Sequence, residues 1–323
     1  MPELPEVEHL RRSLEPHLVG GRLGSVAVVR RDVIRVLDEG GRERRRIPAH
    51  DVARAVLANS VIRATHRHGK QLALEAESGA VLVVQLGMTG SLTFEVGLTP
   101  RGQIGRHRHV RWEFLPKAAT RGDRAGRASA ERRQRASATS ATSVPNSELP
   151  WKLVFRDPRR FGGLTAYPCL ASLRAAWSRL GPDALDIDGN ALIRRLHGST
   201  RPIKSALLDQ ETIAGVGNIY ADESLYAARI HPLARCQDVQ EPLVIELAAA
   251  IRRILSRAVE SGGSTLQDYR DAFGQPGDAV QTHQAYGRAG RPCGRCGGAI
   301  EEIRLAGRST SFCPRCQDLS TFL

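Results

Sequence analysis

The stretch CGRCGGAIEEIRLAGRSTSFCPRC, near the end of the chain, limits the possible architectures more than any other. Cys293 and Cys296 form one Cys-x2-Cys pair and Cys313 and Cys316 a second, with sixteen residues between the pairs. Each pair places two thiolates on one turn, where both can face a single tetrahedral zinc ion. The intervening segment can form a β-hairpin with Ala-Gly-Arg at its tip. So short a module buries little core of its own, and the metal must carry its stability. Four protein thiolates leave no position for water, so the cofactor expected is one structural zinc ion rather than a catalytic one. Four free thiols or two disulfides are the alternative reading, disfavoured by the spacing. A tip that presents Arg308 beside Ser309 and Thr310 suits a phosphate. The two other cysteines, Cys169 and Cys236, are scattered and read as packing residues.

The 323 residues carry a formal charge of +13, with a pI near 10.2. An excess of that size favours a polyanionic partner. Nucleic acid comes first, an anionic membrane face second, and a merely solvated basic surface is the plain alternative. The longest apolar run, AVLVVQLGM at 80–88, is too short to span a bilayer. The acidic N-terminus has no apolar segment of the secretory type, so a cytoplasmic protein is expected, nucleoid-associated if bacterial.

Apolar spacing in VEHLRRSLEPHLVG predicts an amphipathic helix, with Val7, Leu10, Leu14 and Leu18 on one face and Gly20 and Gly21 as its stop. Strand-like runs follow at 25–30, 60–76, 80–87, 109–114 and 151–157, which implies a sheet sandwich behind the helix. Residues 116–150 are rich in Ala, Ser, Arg and Gly and poor in large apolar side chains; they read as a flexible insertion between two strands. Helical spacing takes over through 189–230 and again at 241–263, and 264–287 reads as loop. The expected organisation is α+β: an N-terminal helix and β-sandwich domain (1–181), a helical domain (182–287) and the zinc hairpin (288–323).

Two stretches suggest chemistry. In LLDQETIAGVGNIYADESL, Gly215 and Gly217 let the backbone approach a neighbour closely, and Asn218 then opens a helix whose N-terminal amides could hold a phosphate. A tight helix–helix turn is the plain reading. At the N-terminus, MPELPEVE puts Pro2 next to Glu3, Glu6 and Glu8. Removal of Met1 would give Pro2 a free secondary amine, with a pKa near 8 and an appreciable neutral fraction. Such an amine can attack a sugar C1′ to give an iminium, with Glu3 beside it as proton donor. The plain reading leaves Glu3 and Glu6 as first-turn carboxylates on a helix dipole.

MPELPEVE, QLGMTGSL (85–92), RDPRRFGG (156–163), GVGNIYADESL (215–225) and the four-cysteine hairpin occur here in one order. Together they resemble the formamidopyrimidine-DNA glycosylase family over nearly the whole chain outside 116–150. The resemblance implies a β-sandwich, a helix–two-turn–helix domain and a zinc finger, and a monomer acting on damaged double-stranded DNA. It implies glycosylase and abasic-site lyase activity on 8-oxoguanine and ring-opened purines through a Schiff base and β,δ-elimination. Pro2 would be the nucleophile and Glu3 the acid. Lys70 would assist β-elimination, and Arg308 δ-elimination. Met88, Arg159 and Phe161 match the residues that fill the hole left by the flipped nucleotide, although Met88 and Phe161 taken alone would read as core. His107 and Asn218 match phosphate contacts. The family often has a basic residue where Thr200 stands, and Arg201 or Lys204 is expected to compensate. The segment 266–285 corresponds to the one that closes over the flipped base.

Three rivals stand beside this reading. An endonuclease VIII-like enzyme would excise oxidised pyrimidines by the same chemistry; Leu4 and the Met88–Arg159–Phe161 set favour the purine enzyme. A non-catalytic lesion binder would not need Pro2, Glu3 and Lys70 together. A plain zinc-finger architectural protein leaves the N-terminal motif without a purpose.

Overall fold

A computed structural model describes residues 2–38, 40–44, 47–96, 106–116, 151–264 and 269–322. The expected insertion lies outside the described residues from 117 onward, as does part of the expected closing segment, at 265–268.

Helix α1 (Leu4–Leu18) forms where the apolar spacing places it, and its ends follow from local chemistry. Glu3 caps it: the Glu3 amide donates to Glu6 Oε2 at 2.7 Å, and Pro5 in the first turn needs no intrahelical donor. Gly20, in the left-handed region at φ 81°, turns the chain away. The helix serves two cores. Val7, Leu10, Leu14 and Leu18 enter the sandwich core, while Leu4 belongs to the helical core.

Nine strands form one continuous ladder. They are β1 (Arg22–Val28), β2 (Ile34–Val36), β3 (Ser60–His68), β4 (Gln71–Ala76), β5 (Val81–Gln85), β6 (Ser91–Val96), β7 (Arg108–Leu115), β8 (Trp151–Arg156) and β9 (Gly163–Tyr167). Their order is β2-β9-β5-β4-β3-β1-β7-β8-β6. The link between β1 and β3 is two residue pairs long, and there the ladder folds over. Leu72, Leu74, Leu82 and Val84 from one half then share a core with Trp112, Phe114, Leu153 and Phe155 from the other. The alternating residues Ala73, Val81 and Val83 point outward and are covered by Leu173 of α3 (Leu170–Trp177). A short α2 (Ala49–Ala55) completes this half.

The run at 60–76 is two strands, not one. Gly69, at φ 55°, breaks it into the β3–β4 hairpin, so Lys70 stands at a hairpin tip. The helical half comprises α4 (Gly189–Leu196), α5 (Ile203–Leu208), α6 (Asn218–Ala228) and α7 (Glu241–Glu260) around a second core. The stretch read as loop at 264–287 has only one short helical turn among its described residues, at 279–282, yet it is anchored. Ala272 is fully buried in the sandwich core and Phe273 stacks on Phe94. Strands β10 (Glu301–Leu305) and β11 (Arg308–Phe312) pair antiparallel through a two-residue turn, Ala306–Gly307, with both φ values positive. No helix among the described residues is long and apolar enough to cross a membrane.

Candidate active site

The chain's N-terminus, the β3–β4 tip and the glycine turn before α6 meet at one place. Pro2, Gly69, Lys70, Gln85, Phe161 and Ala214 are among the residues that line a cleft of about 270 Å³. Pro2 is buried in its wall. Glu3 is 1% exposed, and its Oε1 accepts from the Ile219 amide at 3.0 Å. The Glu3 carboxylate thus occupies the Ile219 amide, one of the N-terminal amides of α6. Glu3 Oε2 is buried and lacks a hydrogen-bond partner, which leaves one carboxylate oxygen free for chemistry. A Cβ at Gly217 would overlap this carboxylate, and one at Gly215 would overlap Leu4, so both glycines exist for close approach.

Glu6 lies beneath. It accepts from the Glu3 amide, the Tyr220 hydroxyl at 2.8 Å and the Ser264 amide at 2.6 Å. Burial, reinforced by the neighbouring Glu3 charge, pushes its carboxyl above the usual range. Burial likewise pulls the Lys70 ammonium below the usual lysine range; Glu3 opposes that shift and Arg308 adds to it.

A buried charge cluster fixes the tip that carries Lys70. The Arg67 guanidinium binds Asp183 at 2.5 and 2.9 Å, Glu8 of α1 at 3.0 Å and the Gly69 carbonyl at 3.0 Å. Asp183 accepts from the Gly69 amide at 2.8 Å. Both backbone groups of Gly69 are therefore held by one ion pair that also ties α1 to the start of the helical half.

Of the expected wedge residues, Phe161 lines the cleft directly. Phe161 is 59% and Met88 37% exposed, so neither packs into the core. Arg159 stacks over the Phe161 ring at 4.8 Å. Buried Asp157 shapes their loop, accepting from Thr89 Oγ1 at 2.6 Å and the Gly162 amide at 2.7 Å. His107 is exposed beside it, at φ 65°, and its carbonyl accepts from the Asp157 amide.

The four cysteine sulfurs lie within 4.8 Å of one another, with Cys293–Cys316 at 3.9 Å and Cys296–Cys313 at 3.5 Å. Tetrahedral Zn–S bonds of about 2.3 Å require sulfurs about 3.8 Å apart, so the thiolates fit one zinc ion. The Tyr226 hydroxyl lies 3.2 Å from Cys293 Sγ.

The sequence matches the N-terminal domain described as formamidopyrimidine-DNA glycosylase over residues 1–164. It matches the H2TH domain of the same enzyme over 180–270, and the zinc finger found in FPG and IleRS over 290–319. The formamidopyrimidine-DNA glycosylase of Thermomicrobium roseum is 39% identical over 99% of this chain and 100% of its own length.

The chain belongs to the formamidopyrimidine-DNA glycosylase family.

The Rhodospirillum rubrum member is 37% identical over 98% of this chain and 100% of its own. The solved complex of the Lactococcus lactis family member with abasic-site DNA superposes with a TM-score of 0.77. It shares 29% identity over 98% of this chain and 100% of that one.

Within this family framework, one expected DNA contact is corrected. Lys204 is fully buried and paired with Asp222 at 2.6 Å, so it cannot serve a phosphate in place of Thr200. Arg201 stays at the surface, paired with Asp209 at 2.9 Å. Asn218 points its amide at the Ser309 carbonyl of the zinc hairpin, 3.0 Å away. The roles of Arg67, Asp157, Asp183 and Asp222, and the burial of Glu6 beneath the site, are not legible in the sequence. Their roles depend on partners up to more than a hundred residues away, and the only local hint is the carboxylate-rich start of α1.

Proposed function

We propose that this glycosylase binds damaged double-stranded DNA as a monomer and removes oxidised purines, then cleaves the strand, using its own N-terminal amine. What carries the reading is the convergence of Pro2 and Lys70 on one cleft, with the buried Glu3 carboxylate, one oxygen unpartnered, next to Pro2 in the chain. A base inside a duplex shields C1′, so the nucleotide must be flipped out. Phe161 and Met88 would occupy the gap, and Arg159 would face the orphaned base. After loss of Met1, the Pro2 nitrogen forms a bond to C1′ as the bond from C1′ to the base breaks; the base leaves with a proton. Glu3 protonates the ring oxygen, the sugar opens, and a charged iminium links Pro2 to C1′. Loss of a proton from C2′ expels the 3′ phosphate, and a second elimination expels the 5′ phosphate. Lys70, held below the usual lysine range, is suited to take up protons in these steps. Arg308 would bear on the phosphate that leaves last.

Borohydride added to the mature protein and a duplex carrying 8-oxoguanine opposite cytosine should trap a covalent adduct that a Pro2→Gly variant loses. The Lactococcus enzyme has been captured with DNA containing an oxidised pyrimidine, so a dihydrouracil duplex is the comparison arm. Trapping confined to dihydrouracil would assign the chain to pyrimidines. Tight binding with no adduct on either duplex would make it a lesion reader and end the covalent mechanism.

A further inference from the structure

The corrected position of Lys204 leaves a question: why should a fully buried lysine sit beside the zinc hairpin? Its Nζ donates to the Ser309 carbonyl at 2.9 Å and to Thr310 Oγ1 at 2.8 Å, and lies 2.6 Å from Asp222 Oδ1. Two of its ammonium protons therefore go to the hairpin, and Asp222 supplies the counter-charge. Asp222 Oδ2 accepts from the Ser311 amide at 3.0 Å, and Asn218 adds a second donor to the Ser309 carbonyl. Thus three consecutive residues of β11, immediately after Arg308, are held by side chains of the helical half.

The geometry makes such a grip necessary. Zinc closes the hairpin at its base through Cys313, five residues from Arg308, which is roughly 17 Å along a strand. A swing of about 10° around the metal would carry the tip by roughly 3 Å over that length. Displacements near 1 Å can cost about 100-fold in rate. Zinc alone therefore holds the hairpin on but does not aim it.

We infer that the buried Lys204–Asp222 pair is a positioning device that aims Arg308 into the cleft, coupling the helical half to the final elimination. The inference rests on the proposed role of Arg308 in that step.

The test uses full-length zinc-loaded protein on an abasic-site duplex, reading the ratio of δ- to β-elimination product. In the joint variant Lys204→Met with Asp222→Leu, apolar groups replace the pair. Such replacements are often neutral for stability, whereas removing one partner leaves a buried charge. The joint variant should keep its zinc and its melting temperature within a few degrees, yet its δ share should fall about tenfold or more. Arg308→Ala should lower the δ share in the parent and hardly at all in the joint variant. A δ share unchanged in the joint variant, or an Arg308→Ala effect equally large in both backgrounds, would overturn the inference. If the joint variant does not fold, Thr310→Val removes a single acceptor and should give a smaller fall in the same ratio; no fall would overturn it. Borohydride trapping separates the two levels. A parent that neither traps nor makes δ product refutes the proposed function itself. A parent that does both, with variants that match it, refutes only the positioning role.

Discussion

The smallest side chain at the site makes a sharp demand. Gly217 has φ near −125°, which alanine adopts freely, so its backbone gives no reason for glycine. The reason is the Glu3 carboxylate, which occupies the space where a Cβ would stand. Gly217→Ala should therefore fold and bind DNA but displace Glu3, lowering 8-oxoguanine excision by about 100-fold. Single-turnover excision on a lesion duplex, with a melting curve alongside, checks this; excision at the parent rate would show that Glu3 does not need that position. Lys70 makes the opposite kind of demand, because its charge is disfavoured where it stands. Its folded pKa is lowered chiefly by burial, so the unfolded chain holds a proton that the folded chain releases more readily. Stability then rises with pH between the folded value and the ordinary lysine value, and the full cost is felt below that window. Lys70→Gln should melt at a temperature about 2 °C or more higher at pH 7, with the gap closing toward about pH 10.5, while strand cleavage collapses. Melting curves across that pH range decide it, and a variant that melts lower at pH 7 contradicts the argument.

Elements show what a sequence can and cannot disclose. Helix α1 and the zinc hairpin are legible because their signals are local: a 3.6-residue apolar period and a fixed cysteine spacing. The glycine turn is legible as a close approach, but what approaches it is Glu3, more than 200 residues away in sequence. Strands β2, β6 and β9 are hidden because they are three to six residues long and sit beside glycines or charged turns. Lys204 misleads for a related reason: in sequence a buried lysine looks the same as an exposed one, and Asp222 gives no local sign of pairing with it. The zinc element also yields a prediction. Structural zinc in finger peptides contributes on the order of 10–16 kcal/mol, and the hairpin here buries little apolar surface beyond Ile300, Phe312 and the cysteines. Stripping the metal with a chelator should leave the sandwich and its far-ultraviolet signal intact but lower DNA affinity about tenfold or more, because Arg308 is no longer placed. Readdition of zinc should restore binding measured by fluorescence anisotropy. Full affinity in metal-free protein would mean that the bonds from Lys204, Asp222 and Asn218 suffice to hold the hairpin.

Across the whole molecule, two cores are joined where α1 passes between them, and the cleft lined by Pro2, Lys70 and Phe161 lies at that junction. The basic excess of +13 must act over a larger surface than the cleft itself. Residues 117–150 contain seven basic and three acidic side chains, a net contribution of four charges to that excess. Phe114 of β7 pairs directly with Trp151 of β8, so a short turn could join the two strands. Replacing 117–150 with a short Asn-Gly turn should thus leave the melting temperature and the excision rate at saturating enzyme nearly unchanged. If the segment touches phosphates, affinity should weaken in the shortened protein. The slope of log K against log salt should then become shallower by about 0.9 for each phosphate the segment neutralises. Titrations between about 50 and 200 mM salt are sensitive enough, since even one or two neutralised phosphates change that slope measurably. A shallower slope with normal excision would place the segment on the DNA as an electrostatic arm that adds affinity without entering the chemistry. An unchanged slope would mean that the remaining surface, with Arg159, His107 and the hairpin tip at its centre, accounts for all the phosphates the protein engages.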